Sequence, residues 1–75
     1  MDEKEYLLLL GEKLTALRKA KNMTQEELAG LIGTKHTQIR RMEKGTVNST
    51  INMLRRVAGV LGIDISELVK IEHTK

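Results

Sequence analysis

Leucines at positions 7, 10, 14 and 17 recur at intervals of three and four along the first part of the chain. That spacing places them on one face of a helix. The helix is predicted from about Lys4 to Lys21. Arg18, Lys19 and Lys21 fall in its last turn, where cations meet the negative end of the helix dipole, and Asn22 follows as the exit residue. Leu8 and Leu9 lie off the stripe. They are spare apolar surface for the C-terminal end of the chain or for a partner.

Four shorter helices follow from their caps. Thr24 and Glu27 form a capping box, flanked by Met23 and Leu28 as a hydrophobic staple. Leu28, Ala29 and Ile32 face inward, and Gly33 ends the run. A third helix covers Lys35 to Lys44, anchored by Ile39 and Met42 and closed by Gly45. A fourth runs from Thr50 to about Leu61 with Ile51, Leu54, Val57, Ala58 and Leu61 inward. Gly59 inside it costs up to about 1 kcal/mol of helix propensity, which a close helix contact would explain. Gly62 stops it. Asp64 and Glu67 predict a second capping box on a short fifth helix, with Ile63 and Leu68 as its staple. Ile65, Val69 and Ile71 are further apolar positions, and residues 72–75 are expected to fray. No linker or repeat interrupts the pattern. The expectation is one all-α, five-helix domain over residues 1–75, with its core in 7–69.

Composition narrows the function. A 75-residue chain has a thin core. Without cysteine it forms neither a disulfide nor a thiolate zinc site. No paired active-site carboxylates stand out. His36 has only His73 as a fellow, so catalysis, metal binding and a cofactor are not expected. Leu7 to Leu10 is far too short an apolar run to span a membrane. The acidic MDEKE start is wrong for a signal peptide. A cytoplasmic protein is expected, nucleoid-associated when bound to DNA.

Net charge is +3, and its placement carries more information than its size. Residues 1–32 sum to −1, residues 33–45 to +3, residues 46–59 to +2 and residues 60–75 to −1. The positive charge is concentrated where a polyanion would be met. It coincides with the segment TQEELAGLIGTKHTQIRRMEKG, two amphipathic helices joined at a glycine-containing turn. That is the build of a helix-turn-helix, which delivers the start of its second helix to a DNA major groove.

The runs LGEKLTALRKAKNMTQEELAGLIG, IRRMEKG and LRRVAGVLGIDISEL resemble the DNA-binding domain of the phage Cro and lambda-type repressors. The xenobiotic-response-element family of bacterial regulators shares this domain. The resemblance covers residues 10 to 69 and implies a lambda-repressor-like fold with the helix-turn-helix at helices 2 and 3. It implies base reading by Lys35, His36, Thr37 and Arg41. It implies phosphate binding by Gln25, Arg40, Lys44, Thr46 and Asn48. It also implies a structural bridge between Arg18 and Glu43. The chemistry suits those roles: arginine bridges guanine O6 and N7, and threonine offers a methyl group or a hydroxyl. Relatives commonly carry Ser or Thr at the helix 3 cap. Here the position is Lys35, which leaves Thr34 as the alternative cap.

The resemblance further implies a sequence-specific transcriptional regulator, a repressor reading an inverted-repeat double-stranded operator as a homodimer, at least on DNA. Two-fold symmetry sets the half-sites about 34 Å apart. Ile63, Ile65, Leu68, Val69 and Ile71, with Leu8 or Leu9, are the expected isologous patch. The alternative is an antitoxin, with a toxin as a second partner, or a restriction-modification control protein. Both add a protein-interaction or control role to promoter binding.

Overall fold

The computed structural model describes residues 1–72. The expected fraying of the last residues, and His73, lie outside the described residues. Five helices follow in order: α1 (Glu3–Ala20), α2 (Gln25–Ile32), α3 (His36–Lys44), α4 (Ile51–Leu61) and α5 (Ile65–Val69). Asp2 caps α1, its carboxylate accepting from the Glu5 N–H at 2.8 Å. The α1 exit passes through Asn22 at φ +58, in the left-handed region that asparagine tolerates better than most residues. At α2 the Thr24–Glu27 capping box is complete: Thr24 N–H donates to Glu27 at 2.8 Å, and Glu27 N–H returns to Thr24 at 3.0 Å.

Every helix contributes to one core. Leu14 comes from α1, Leu28, Ala29 and Ile32 from α2, and Ile39 and Met42 from α3. Leu54, Val57, Ala58 and Leu61 come from α4, and Leu68 from α5. Full burial of a Leu, Ile or Val side chain contributes roughly 1.5–3 kcal/mol, so this shared apolar cluster is the main source of stability.

The long helix α1 receives both α3 and α5. Against α3 the approach is backbone to backbone. A Cβ at Gly11 would lie 2.7 Å from the Met42 carbonyl oxygen and closer still to that of Glu43. Gly45 ends α3 at φ +73, and a Cβ there would meet the Leu7 backbone at 2.9 Å. These two glycines let the C-terminal half of α3 lie directly on α1. At the other side α1 holds the end of α5. The Tyr6 hydroxyl donates to the Val69 carbonyl at 2.6 Å. Lys13 Nζ donates to the carbonyls of Glu67 and, at 2.7 Å, Lys70. Those carbonyls belong to a last turn with no helical partners of its own.

Several expectations are corrected. Ile51 is 65% exposed rather than inward. It is the first residue of α4, and helical side chains lean toward the N-terminus, which carries this one past the end of the core. Asp64 makes no side-chain cap. Its carbonyl accepts from Glu67 and Leu68 N–H at 3.0 and 3.2 Å, while its side chain stays in solvent. Leu68 is buried in the core and is unavailable to a partner. A Cβ at Gly59 would have no neighbour within 4 Å, so no close contact explains this glycine. Leu9 lines a groove with Ile71, whereas Leu8 is exposed.

Candidate nucleic-acid interface

The turn between α2 and α3 sets the site. Gly33 at φ +87 reverses the chain, and the Gly33 and Thr34 N–H groups both donate to the Ala29 carbonyl at 2.9 Å. Thr34 therefore closes α2 and does not cap α3. Lys35 is the N-cap, without a side-chain cap hydrogen bond, and the helix begins at His36, one residue later than the pattern predicts. With no side chain over them, the His36 and Thr37 amides stay open, while the Gln38 and Ile39 N–H groups donate to the Lys35 carbonyl at 3.0 and 3.4 Å.

Of the four expected base readers, Lys35, Thr37 and Arg41 are exposed and line one open concavity of about 690 Å³ with Gly33, Thr34 and Gln38. Gln38 was not among the expected residues. Its position one turn before Arg41 was the available signal. His36 is half-buried and turned to α2: its Nε2 lies 3.0 Å from Gln25 Oε1. Gln25 Nε2 donates onward to Glu43 Oε1 at 2.9 Å. Gln25, expected to bind phosphate, is thus held between the two ends of α3.

The expected bridge is present. Arg18 Nε donates to Glu43 Oε2 at 2.6 Å and Nη2 to Oε1 at 3.1 Å. The two side chains are 8% and 6% exposed. A third bond, Nη1 to the Met23 carbonyl at 2.6 Å, fixes the guanidinium to the α1–α2 turn. The hydrogen bond to Glu43 raises the Arg18 pKa against the cost of burial. Burial pushes the Glu43 carboxyl up, but hydrogen bonds from Arg18 and Gln25 and the guanidinium charge hold it below the usual carboxylate range. The pair is ionised and positions α3 on α1; it is not itself on the exposed face.

Arg40 and Lys44 are exposed on α3, with Lys44 beside Gly45. The remaining two expected phosphate ligands are engaged within the protein. The Thr46 hydroxyl donates to the Arg41 carbonyl at 3.2 Å. Asn48 Nδ2 donates to the Glu3 carboxylate at 2.8 Å, tying the loop after α3 to the start of α1. Among the described residues no group of three or more His, Cys, Asp or Glu could hold a metal ion. No helix among them is long and apolar enough to cross a membrane.

The helix-turn-helix family matches residues 14–68. The immunity repressor protein of Bacillus phage phi105 is 31% identical over 62 residues, covering 83% of this chain and 43% of that protein. The chain therefore spans less than half the length of that relative. The restriction-modification controller protein C.AhdI from Aeromonas hydrophila superposes with a TM-score of 0.80 at 34% identity, covering 83% of this chain and 94% of that one. The biofilm master regulator SinR, solved in complex with DNA, superposes with a TM-score of 0.77 at 26% identity, covering 81% and 98% of the two chains. With its capped α2, glycine turn and exposed basic α3, the chain belongs to the Cro/C1-type helix-turn-helix family of DNA-binding domains, and its all-α fold is that of the lambda repressor group.

Proposed function

We propose that this protein is a transcriptional repressor that occupies an inverted-repeat operator as a homodimer and reads each half-site with α3. The observation that carries this reading is the shared surface of Lys35, Thr37 and Arg41 at the front of α3. These are the residues that reach base edges when a recognition helix enters the major groove end-on. Arg40 and Lys44 flank them as phosphate ligands. The Gln25 and Glu26 amides, which the α2 capping box does not use, and the His36 and Thr37 amides of α3 serve the same backbone. Thr46 and Asn48 contact phosphate after exchanging their internal partners. The dimer forms through the half-buried Ile63, Ile65, Val69 and Ile71.

A second reading, control of a restriction-modification system, is favoured by the likeness to the Aeromonas hydrophila controller over nearly all of that chain. Both readings share the DNA-binding event. Selection from a randomised duplex pool, then sedimentation on the selected duplex, tests it. A palindromic site with two chains per duplex is expected. A strict one-to-one complex on the best site overturns the dimeric reading, and failure to select any sequence overturns specific binding.

A further inference from the structure

The hydrogen-bond chain behind α3 has a direction. Arg18 can only donate, and the Glu43 carboxylate it engages, being ionised, can only accept. Glu43 Oε1 must therefore receive a proton from the Gln25 amide group, 2.9 Å away. That choice leaves the Gln25 carbonyl oxygen facing His36 Nε2 at 3.0 Å. A carbonyl oxygen only accepts, so Nε2 carries the hydrogen. The second ring nitrogen, Nδ1, has no protein partner among the described residues. Half-buried and restrained through Nε2, His36 is the first residue of α3, and its chain neighbours Lys35 and Thr37 line the concavity.

We infer that the Arg18–Glu43–Gln25 chain sets the tautomer of His36, making Nδ1 its reading atom and, in the neutral ring, a hydrogen-bond acceptor. The ligand class follows. An acceptor on the protein needs a donor in the groove, and the major-groove donors are the exocyclic amino groups of adenine (N6) and cytosine (N4). His36 thus selects an amino group at one fixed place across the groove. It rejects a carbonyl oxygen or N7 at that place, which Lys35 and Arg41 are suited to take. The inference rests on α3 being the base-reading helix. It adds to that reading the identity of the reading atom and of its target group.

Two measurements separate this inference from the reading beneath it. The first needs no DNA. Imidazole nitrogen and long-range proton–nitrogen spectra of a His73→Gln chain, followed to the alkaline limit of the titration, report which nitrogen holds the hydrogen. A single Nε2–H species with a protected ring proton is expected, against the mixture shown by a histidine peptide. Gln25→Met should return the signal toward that mixture. A mixed tautomer in the His73→Gln chain, or no change on Gln25→Met in a chain that still folds, overturns the inference whatever the DNA result.

The second uses the duplex selected from the randomised pool. Each adenine amino group is deleted in turn by purine, and each cytosine amino group by 2-pyrimidinone. One deletion per half-site should weaken binding about fivefold or more, the low end of the discrimination attributed to a base contact. That loss should vanish in His36→Ala. If no deletion is coupled to His36 although a site is selected, the reading-atom assignment fails while specific DNA binding stands. If no site is selected, both fail.

Discussion

Arg18 and Glu43 stand 25 residues apart in the chain and meet through two hydrogen bonds, the shorter at 2.6 Å. Their pairing makes the placement of α3 depend on α1. Removing one partner of a buried ion pair leaves the other unpaired, at a cost of about 3–5 kcal/mol. Glu43→Ala should therefore lose most of the stability of so small a domain, measured as the midpoint of urea denaturation. It should also bind DNA more weakly, although it removes an acid from a basic helix. A variant of unchanged stability and tighter binding would show Glu43 to be a solvated charge.

The same carboxyl predicts an acid-sensitive fold. Its pKa in the folded chain is lowered, against the effect of burial, by Arg18 and Gln25. A group with a depressed folded pKa contributes stability that is fully present above its unfolded pKa, in the ordinary carboxylate range, and is lost as pH falls through the folded pKa. Denaturation midpoints should fall through that acid window. Glu43→Gln should be less stable at neutral pH and show a flatter slope across the same window. Equal slopes in the two proteins would remove Glu43 from the account.

Two glycines in helices predict opposite signs. Gly11→Ala drives a methyl group into the carbonyls of Met42 and Glu43, which are backbone atoms that cannot rotate away. Parting α1 from α3 should cost of order 1–3 kcal/mol, as overpacking does. Gly59→Ala meets open space and should gain roughly 0.5–1 kcal/mol of helix propensity. Thermal melts of the two variants, read against the parent, should move in opposite directions.

Tyr6 and Lys13 predict a local effect. They satisfy the carbonyls of Glu67, Val69 and Lys70 at the end of α5. Tyr6→Phe and Lys13→Met should each lose about 0.5–1.5 kcal/mol, the net worth of an ordinary hydrogen bond. Amide exchange should quicken in α5 while α2 and α3 keep their protection. Uniform acceleration across all helices would mean that α5 does not open separately.

Arg41 and Lys44 should part by function. Arg41→Ala should lose roughly 1–3 kcal/mol of discrimination between the selected site and a scrambled one. Lys44→Ala should weaken both DNAs alike and reduce the salt slope by about one unit. Isotherms over a salt series on the two duplexes make the comparison. Equal losses on both DNAs for Arg41→Ala would contradict its reading role.

Periodicity and caps located α1 to α4 because each carries its own signal: the leucine stripe of α1, the Thr24–Glu27 box, and the glycines at 33, 45 and 62; α5 was placed by a capping box whose Asp64 side chain does not cap it. The Arg18–Glu43 bridge was legible through resemblance, since nothing local to either residue points to the other. What depends on helices meeting was not legible. Gly11 reads as one more small residue until α3 is laid across it. Gly59 invites a contact explanation and has none. Ile51 fits the inward pattern and fails it because it sits at a helix end. Gln25 and His36 were both expected at the interface, but their bond to each other needs the angle between α2 and α3, which spacing does not encode.

The recognition helix divides its side chains by task, and that division bears on how such a protein diversifies. Ile39 and Met42 are buried and Glu43 is bonded to α1, whereas Lys35 at its cap and Thr37, Arg40, Arg41 and Lys44 along it are exposed. Exposed replacements usually alter stability by no more than about 0.5 kcal/mol. A duplicated copy of the gene can therefore drift toward a new target through those positions without first acquiring rescuing changes in the core. His36 is the exception. Its ring belongs to the network that seats the helix, so under the proposed reading a change there alters recognition and the restraint on Gln25 together, and Gln25 is the residue expected to change with it in descendants that read a different site.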